Sequence, residues 1–74
     1  MKVKVKLYGD YLRYGADENL LEVEENSSVN DLLNKLQISE RHYIIVLVNM
    51  KRVWFEEKLK DNDTVSIFSP VGGG

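Results

Sequence analysis

Only one stretch of this chain carries a helical period. Val29, Leu32, Leu33 and Leu36 recur at i, i+3, i+4 and i+7, one apolar stripe opposed by Asn30, Asn34 and Lys35. Ser28 precedes it as an N-cap. Asp31, three positions on, completes a capping-box pair and sits at the positive end of the helix dipole. A helix with a single stripe must bury it on another layer. Elsewhere the apolar residues alternate or run together for a few positions, the patterns of strands. One sheet with one helix across a face is the packing these parts require.

The strands can be placed in order. Lys2, Lys4 and Lys6 alternate strictly with Val3, Val5 and Leu7, which gives a strand with one wet and one buried face. Gly9 and Gly15 bracket Asp10–Tyr14, read as a connection with Leu12 as its anchor into the core. Leu21–Glu24 resumes the alternation, and antiparallel pairing would set Glu22 and Glu24 near the lysines, answering the basic stripe locally. After the helix, Ile44–Val48 is apolar on both sides. Asn49–Arg52 reads as a turn and Val53–Phe55 as a short return strand, where Trp54 and Phe55 suit a pleated surface. Leu59 packs inward before a tight turn at Asp61-Asn62-Asp63. Thr64–Phe68 is the last strand, and Pro70 ends pairing because it has no N–H to donate. Parallel pairing of the first and last strands in the middle would give an α+β protein with the β-grasp arrangement of ubiquitin. That is a mixed sheet of about five strands with one main helix on one face.

Composition narrows the function. The 74 residues suffice for one small domain with a core but little room for an enclosed active-site cavity. Ten Lys+Arg against twelve Asp+Glu give a net charge of -2, which argues against a nucleic-acid module. Cysteine is absent, so no disulfide, thiolate zinc ligand or cysteine nucleophile is expected. The longest uncharged apolar run, Tyr43–Val48, is far below the ~20 residues that span a bilayer. The Lys-Val alternation of the amino terminus is not a signal peptide. A cytoplasmic protein without membrane contact is the expectation. A lone His42 beside Arg41 has no evident partner for acid–base work, no Gly-Lys-Ser/Thr phosphate loop occurs, and no metal-ligand spacing is present.

One feature remains. The sequence runs into Gly72-Gly73-Gly74 directly after Pro70-Val71. At ordinary glycine usage, three in a row at a chosen place arise by chance at roughly 0.03%. A segment without Cβ atoms is expected to be flexible, and its carboxylate has a pKa of ~3.5. From Val71 to Gly74 it reaches on the order of 13 Å when extended. So thin a rod could thread a channel in another protein and present its carboxylate there; a frayed terminus is the plain alternative. The expected division is a domain over 1–71 and a tail over 72–74.

Asn49, Val53, Leu59, Asp61-Asn62-Asp63, Val65, Phe68, Pro70-Val71 and the final glycines resemble the C-terminal half of the MoaD/ThiS sulfur carriers. In that family a strand ending in Val-Asn is followed by a Leu, an Asp-Gly-Asp turn, and a strand running into Pro-Pro-Val and two glycines. Ser28–Leu36 resembles the family's helix, and Val3–Leu7 with Leu12-Arg13 its first strand and loop. Asn62 stands where the family has a turn glycine, and Ser69 where it has the first proline. The Pro-Val pair is closer to the small subunit of molybdopterin synthase than to the thiazole-pathway carrier.

The resemblance implies a carrier rather than a catalyst. Gly74 would be adenylated by an E1-like enzyme of the MoeB/ThiF kind that itself uses ATP. A sulfur donor would then leave a terminal thiocarboxylate, with no cofactor bound by the carrier. Gly73 and Gly72 would be the spacer, and Val71 and Pro70 would fix where it begins. In the molybdopterin branch the loaded tail would enter a MoaE-like large subunit. Thiamin or another thiolation pathway, a ubiquitin-like protein modifier and a non-covalent β-grasp interaction domain are the alternatives. From the strand pattern, Ile45, Leu47 and Phe68 would form an outward apolar patch for partner binding near the tail root. In the opposite phase of the third strand, Ile44, Val46 and Val48 would face outward.

Overall fold

A computed structural model describes residues 1–70. Five strands and one α-helix are present among them: β1 (Lys2–Leu7), β2 (Glu18–Glu22), α1 (Val29–Lys35), β3 (Ile45–Val48), β4 (Lys51–Val53) and β5 (Thr64–Phe68). The sheet order is β2-β1-β5-β3-β4, with β1 and β5 parallel and every other neighbour antiparallel. This is the β-grasp arrangement, with the first and last strands paired inside the sheet.

Register decides which residues meet the helix. Val5 pairs with Val65 and Leu7 with Ile67, while Ile67 and Val65 face Val46 and Val48 across the next ladder. These side chains close on Val29, Leu32 and Leu33 of α1, with Ile38, Ile44 and Leu59 filling the ends. Each buried aliphatic side chain contributes about 1.5–3 kcal/mol. β5 is central, so Val65 and Ile67 are covered on all sides and have no exposed surface.

The helix begins where its cap predicts. The Ser28 hydroxyl accepts from the Asp31 N–H at 3.1 Å, and the Asp31 carboxylate accepts from the Ser28 N–H at 2.9 Å. The next two N–H groups, which no intrahelical carbonyl can take, donate to the carbonyls of Glu57 and Phe55 at 2.9 Å each. The helix ends in a Schellman motif: Ile38 N–H donates to Leu33 and Gln37 N–H to Asn34, both at 2.9 Å.

Three local expectations are corrected. The Gly9–Tyr14 segment is a 3-10 helix, and Tyr11 is its anchor while Leu12 lies half exposed. The signal lay in Tyr11 and Tyr14, since side chains three apart eclipse in a 3-10 helix. Tyr11 and Tyr14 stack at 6.2 Å. The second strand starts earlier, at Glu18, because pairing with β1 extends to Lys6 and not to the alternating residues alone. Val23 then leaves β2, though its N–H still donates to the Met1 carbonyl at 2.8 Å. The return strand is Lys51–Val53 instead of Val53–Phe55, because Val48 pairs with Lys51 across a two-residue turn. Asn49 and Met50 both have positive φ there, 53° and 73°, the signature of a type I′ hairpin.

Two polar latches join the loops. Asn49 Nδ2 donates to Asp63 at 2.8 Å while its Oδ1 accepts from the Thr64 N–H at 3.0 Å, tying the hairpin to the turn before β5. Asn62 occupies that turn at φ 71°, the left-handed conformation asparagine tolerates. Arg41 reaches Asn30 and Asn34 at 2.9 Å each and also donates to the carbonyls of Ile38 and Glu40, clamping the α1–β3 loop onto the helix.

Candidate functional site

Among the described residues, no layer covers the sheet face turned away from α1. Its composition follows from register: Lys6, Ser66, Leu47 and Arg52 lie in one row across β1, β5, β3 and β4. Phe68 and Ile45 form the next row toward the end of β5. Of the two phases open to β3, the chain takes the one that turns Ile45 and Leu47 to this face and Val46 to the core. The reason is the neighbouring β5, whose Val65 and Ile67 must both face the helix.

Tyr8 stands edge-on to Phe68 at 6.3 Å. With Leu47, Met50 and Ser66 these rings line a shallow, mostly apolar hollow of about 330 Å³. Tyr8 and Met50 escaped the sequence reading, although Tyr8 continues the outward series Lys2, Lys4, Lys6 by one step. Met50, at the hairpin tip, is 81% exposed, and Trp54, just past β4, is 69% exposed with Arg52 over its ring at 5.3 Å. The hollow gathers Leu47 and Phe68 directly, and Ile45 stands opposite Phe68.

The lysine stripe is answered only in part. Lys4 pairs with Glu18 at 3.5 Å, not with Glu22 or Glu24. Glu22 instead accepts from the Met1 amino group at 2.9 Å, and Glu24 lies beyond β2.

A second, polar hollow of about 350 Å³ opens beside Ser69, lined by Asp10, Tyr11, Arg13, Tyr14, Glu40 and Tyr43. Glu40 organises it: its carboxylate accepts from the Tyr11 hydroxyl at 3.0 Å, the Tyr43 N–H at 2.8 Å and the His42 N–H. Burial would raise the Glu40 pKa, but these donors together hold it below the usual carboxylate value. The Tyr11 phenol is pushed up to about 12, chiefly by burial and then by Glu40. His42 itself is exposed. Among the described residues, no group of three His, Asp or Glu side chains could hold a metal ion, and no helix is long and apolar enough to cross a membrane. Pro70 follows Phe68 and Ser69 as an exposed turn. The expected roles of Val71, Gly72, Gly73 and Gly74 lie outside the described residues.

Fold and face together define a class, a ubiquitin-like β-grasp protein whose open sheet face is apolar with cations at its margin. The ThiS family model matches residues 5–74, and the chain belongs to that family of small carrier proteins. Among solved structures it is similar to a Pyrococcus furiosus protein assigned as molybdopterin converting factor subunit 1. The two are 29% identical over 95% of this chain and 98% of that one, with a TM-score of 0.83. It is also similar to small archaeal modifier protein 1 of Methanosarcina acetivorans, at 28% identity over 99% and 96% of the chains and a TM-score of 0.75. A chain of the Helicobacter pylori complex of subunits 1 and 2 of molybdopterin-converting factor shares the fold, with 22% identity over the full length of both chains and a TM-score of 0.69. No curated protein sequence matches the chain.

Proposed function

We propose that this protein is a sulfur carrier for molybdopterin synthesis and that Gly74 is the group it carries sulfur on. A carboxylate oxygen of Gly74 attacks the α-phosphorus of ATP on an E1-like adenylating enzyme, and pyrophosphate leaves. Sulfide from a donor then attacks the acyl carbon, AMP leaves, and a thiocarboxylate remains. ATP and the sulfur donor belong to the partner's reaction and are not held by the carrier. Gly73 and Gly72 let the segment pass a narrow channel, since a Cβ would obstruct both passage and close approach of donors to the backbone. Pro70 and Val71 set where the spacer starts. Phe68, Ile45 and Leu47 form the face on which the adenylating enzyme, and then a MoaE-like large subunit, dock. The cytoplasm is the compartment where these partners meet it.

The observation that carries this reading is that the family match runs through the terminal glycines on a fold whose last strand presents an apolar face. The likeness to molybdopterin converting factor subunit 1 supports the molybdopterin branch. The likeness to a small archaeal modifier protein favours a second reading, in which the same acyl adenylate is passed to protein lysines. Deleting Gly74 tests the common step. ATP–pyrophosphate exchange with the adenylating enzyme encoded in the same genome is expected with the full chain and absent without Gly74. Intact mass after adding ATP and sulfide then separates the branches: one oxygen exchanged for sulfur marks the carrier, isopeptide adducts mark the modifier. Exchange undiminished by the deletion overturns both.

A further inference from the structure

The row Lys6, Ser66, Leu47, Arg52 places a cation on each side of the hollow. Ser66 and Leu47 are its floor, Phe68 and Tyr8 lie toward one end of the strands, and Met50 stands at the hairpin turn toward the other. Adjacent strands are about 4.8 Å apart, so Lys6 and Arg52 flank the hollow at roughly 14 Å between backbones. Neither charge is neutralised among the described residues. Glu18, opposite Lys6, is drawn to Lys4 instead at 3.5 Å, and Arg52 lies on the Trp54 ring at 5.3 Å with no carboxylate in reach.

The cations are concentrated here. The outer face holds Lys2, Lys4, Lys6 and Arg52 against Glu18 and Glu22, although acidic residues outnumber basic ones in the chain, twelve to ten. A protein with a net charge of -2 thus presents a positive docking face.

Met50 supplies an independent observation. It occupies a left-handed position, φ 73°, where a type I′ turn ordinarily takes glycine, and at 81% exposure it gains almost no burial for that strain. Strain without packing points to a residue kept for what it touches. An unbranched thioether side chain suits a contact that must adapt to another surface.

We infer that this row recognises a partner protein which inserts a Leu- or Phe-sized side chain into the hollow with carboxylates on either side. The inference rests on the docking role of the outer face given above. Lys6 and Arg52 steer the encounter, Arg52 already held in place by Trp54, and Met50 closes over the inserted side chain.

The test measures binding of the adenylating enzyme from the same genome to the full chain and to Lys6→Glu, Arg52→Glu and the double variant. Lys35→Glu, on the helix, is the charge-matched comparison. The double variant is expected to lower the association rate roughly tenfold or more near 0.05 M salt, the difference shrinking to about threefold or less near 0.5 M. Lys35→Glu is expected to change it less than about twofold. Met50→Gly is expected to raise the melting temperature and yet weaken binding by about fivefold or more, opposite signs that a purely structural residue does not produce. Equal association rates for wild type and double variant, with ATP–pyrophosphate exchange intact, overturn this inference and leave the carrier reading standing. A wild-type chain that neither binds nor supports exchange overturns both.

Discussion

Gln37 sits in a conformation that its side chain makes costly. It is the residue after the helix cap, at φ 64°, where the Schellman motif ordinarily takes glycine. Asn26, Asn49 and Asn62 share positive φ, but asparagine bears it better. A left-handed residue with a Cβ costs about 1–2 kcal/mol, while a new glycine gives back about 0.4–1 kcal/mol through the freer unfolded chain. The first term wins. Gln37→Gly is expected to stabilise the protein by roughly 0.5–1 kcal/mol, read as a melting temperature higher by about 2–8 °C. A lower melting temperature would show that the Gln37 side chain contributes packing that the backbone geometry does not reveal.

Between elements, the Tyr11–Glu40 contact joins the 3-10 helix to the α1–β3 loop, two segments with no shared ladder. Its titration sets the pH range over which that junction holds. Glu40 is depressed in the fold, so its contribution is present above the ordinary value of 4.5 and is lost as the pH falls below it. Tyr11 is raised, so its contribution is complete below 10.0 and lost as the pH climbs toward about 12. The contribution of this contact to the melting temperature, read as the difference between wild type and Glu40→Gln, is expected to stay level between these limits and to shrink on the acid side. Phenolate absorbance is expected to show a step near pH 12 that disappears in Tyr11→Phe. If the step survives in Tyr11→Phe, another tyrosine carries it.

For the whole molecule, the two sheet faces do opposite work, and neighbouring residues of β5 separate them. Ile67 has no exposed surface and faces the helix, whereas Phe68 is half-buried on the outer face. Phe68→Asp loses the edge contact with Tyr8, worth about 0.5–1.5 kcal/mol, and leaves the core intact. The same change one residue earlier, Ile67→Asp, buries an unpaired charge and is expected to unfold the chain. Phe68→Asp is therefore expected to fold and to melt about 2–12 °C below wild type while its affinity for the adenylating enzyme falls roughly tenfold or more. Unchanged affinity with a normal melting curve would remove Phe68 from the docking face.

What could be read in the chain was whatever depends on near neighbours. The Ser28–Asp31 cap, the stripe Val29–Leu36, the alternation of β1 and the turn at Asn62 are local chemistry, and they led to one helix on a mixed sheet with β1 beside β5. The parts decided elsewhere needed the fold. β3 is apolar on both sides, so only β5's need to turn Val65 and Ile67 to the helix sets Leu47 and Ile45 outward. Tyr11 displaces Leu12 as the anchor because Glu40, 29 residues away, takes its hydroxyl. Register sets Glu18 opposite Lys6, yet its carboxylate reaches diagonally to Lys4 at 3.5 Å and leaves Lys6 unpaired beside Ser66, a side-chain choice that strand pattern does not carry. Hydrophobic period is set within a few residues, whereas register and burial come from contacts across the whole chain, which is why the phase of β3, and with it the hollow that Tyr8 and Met50 share with Leu47 and Phe68, was decided only in three dimensions.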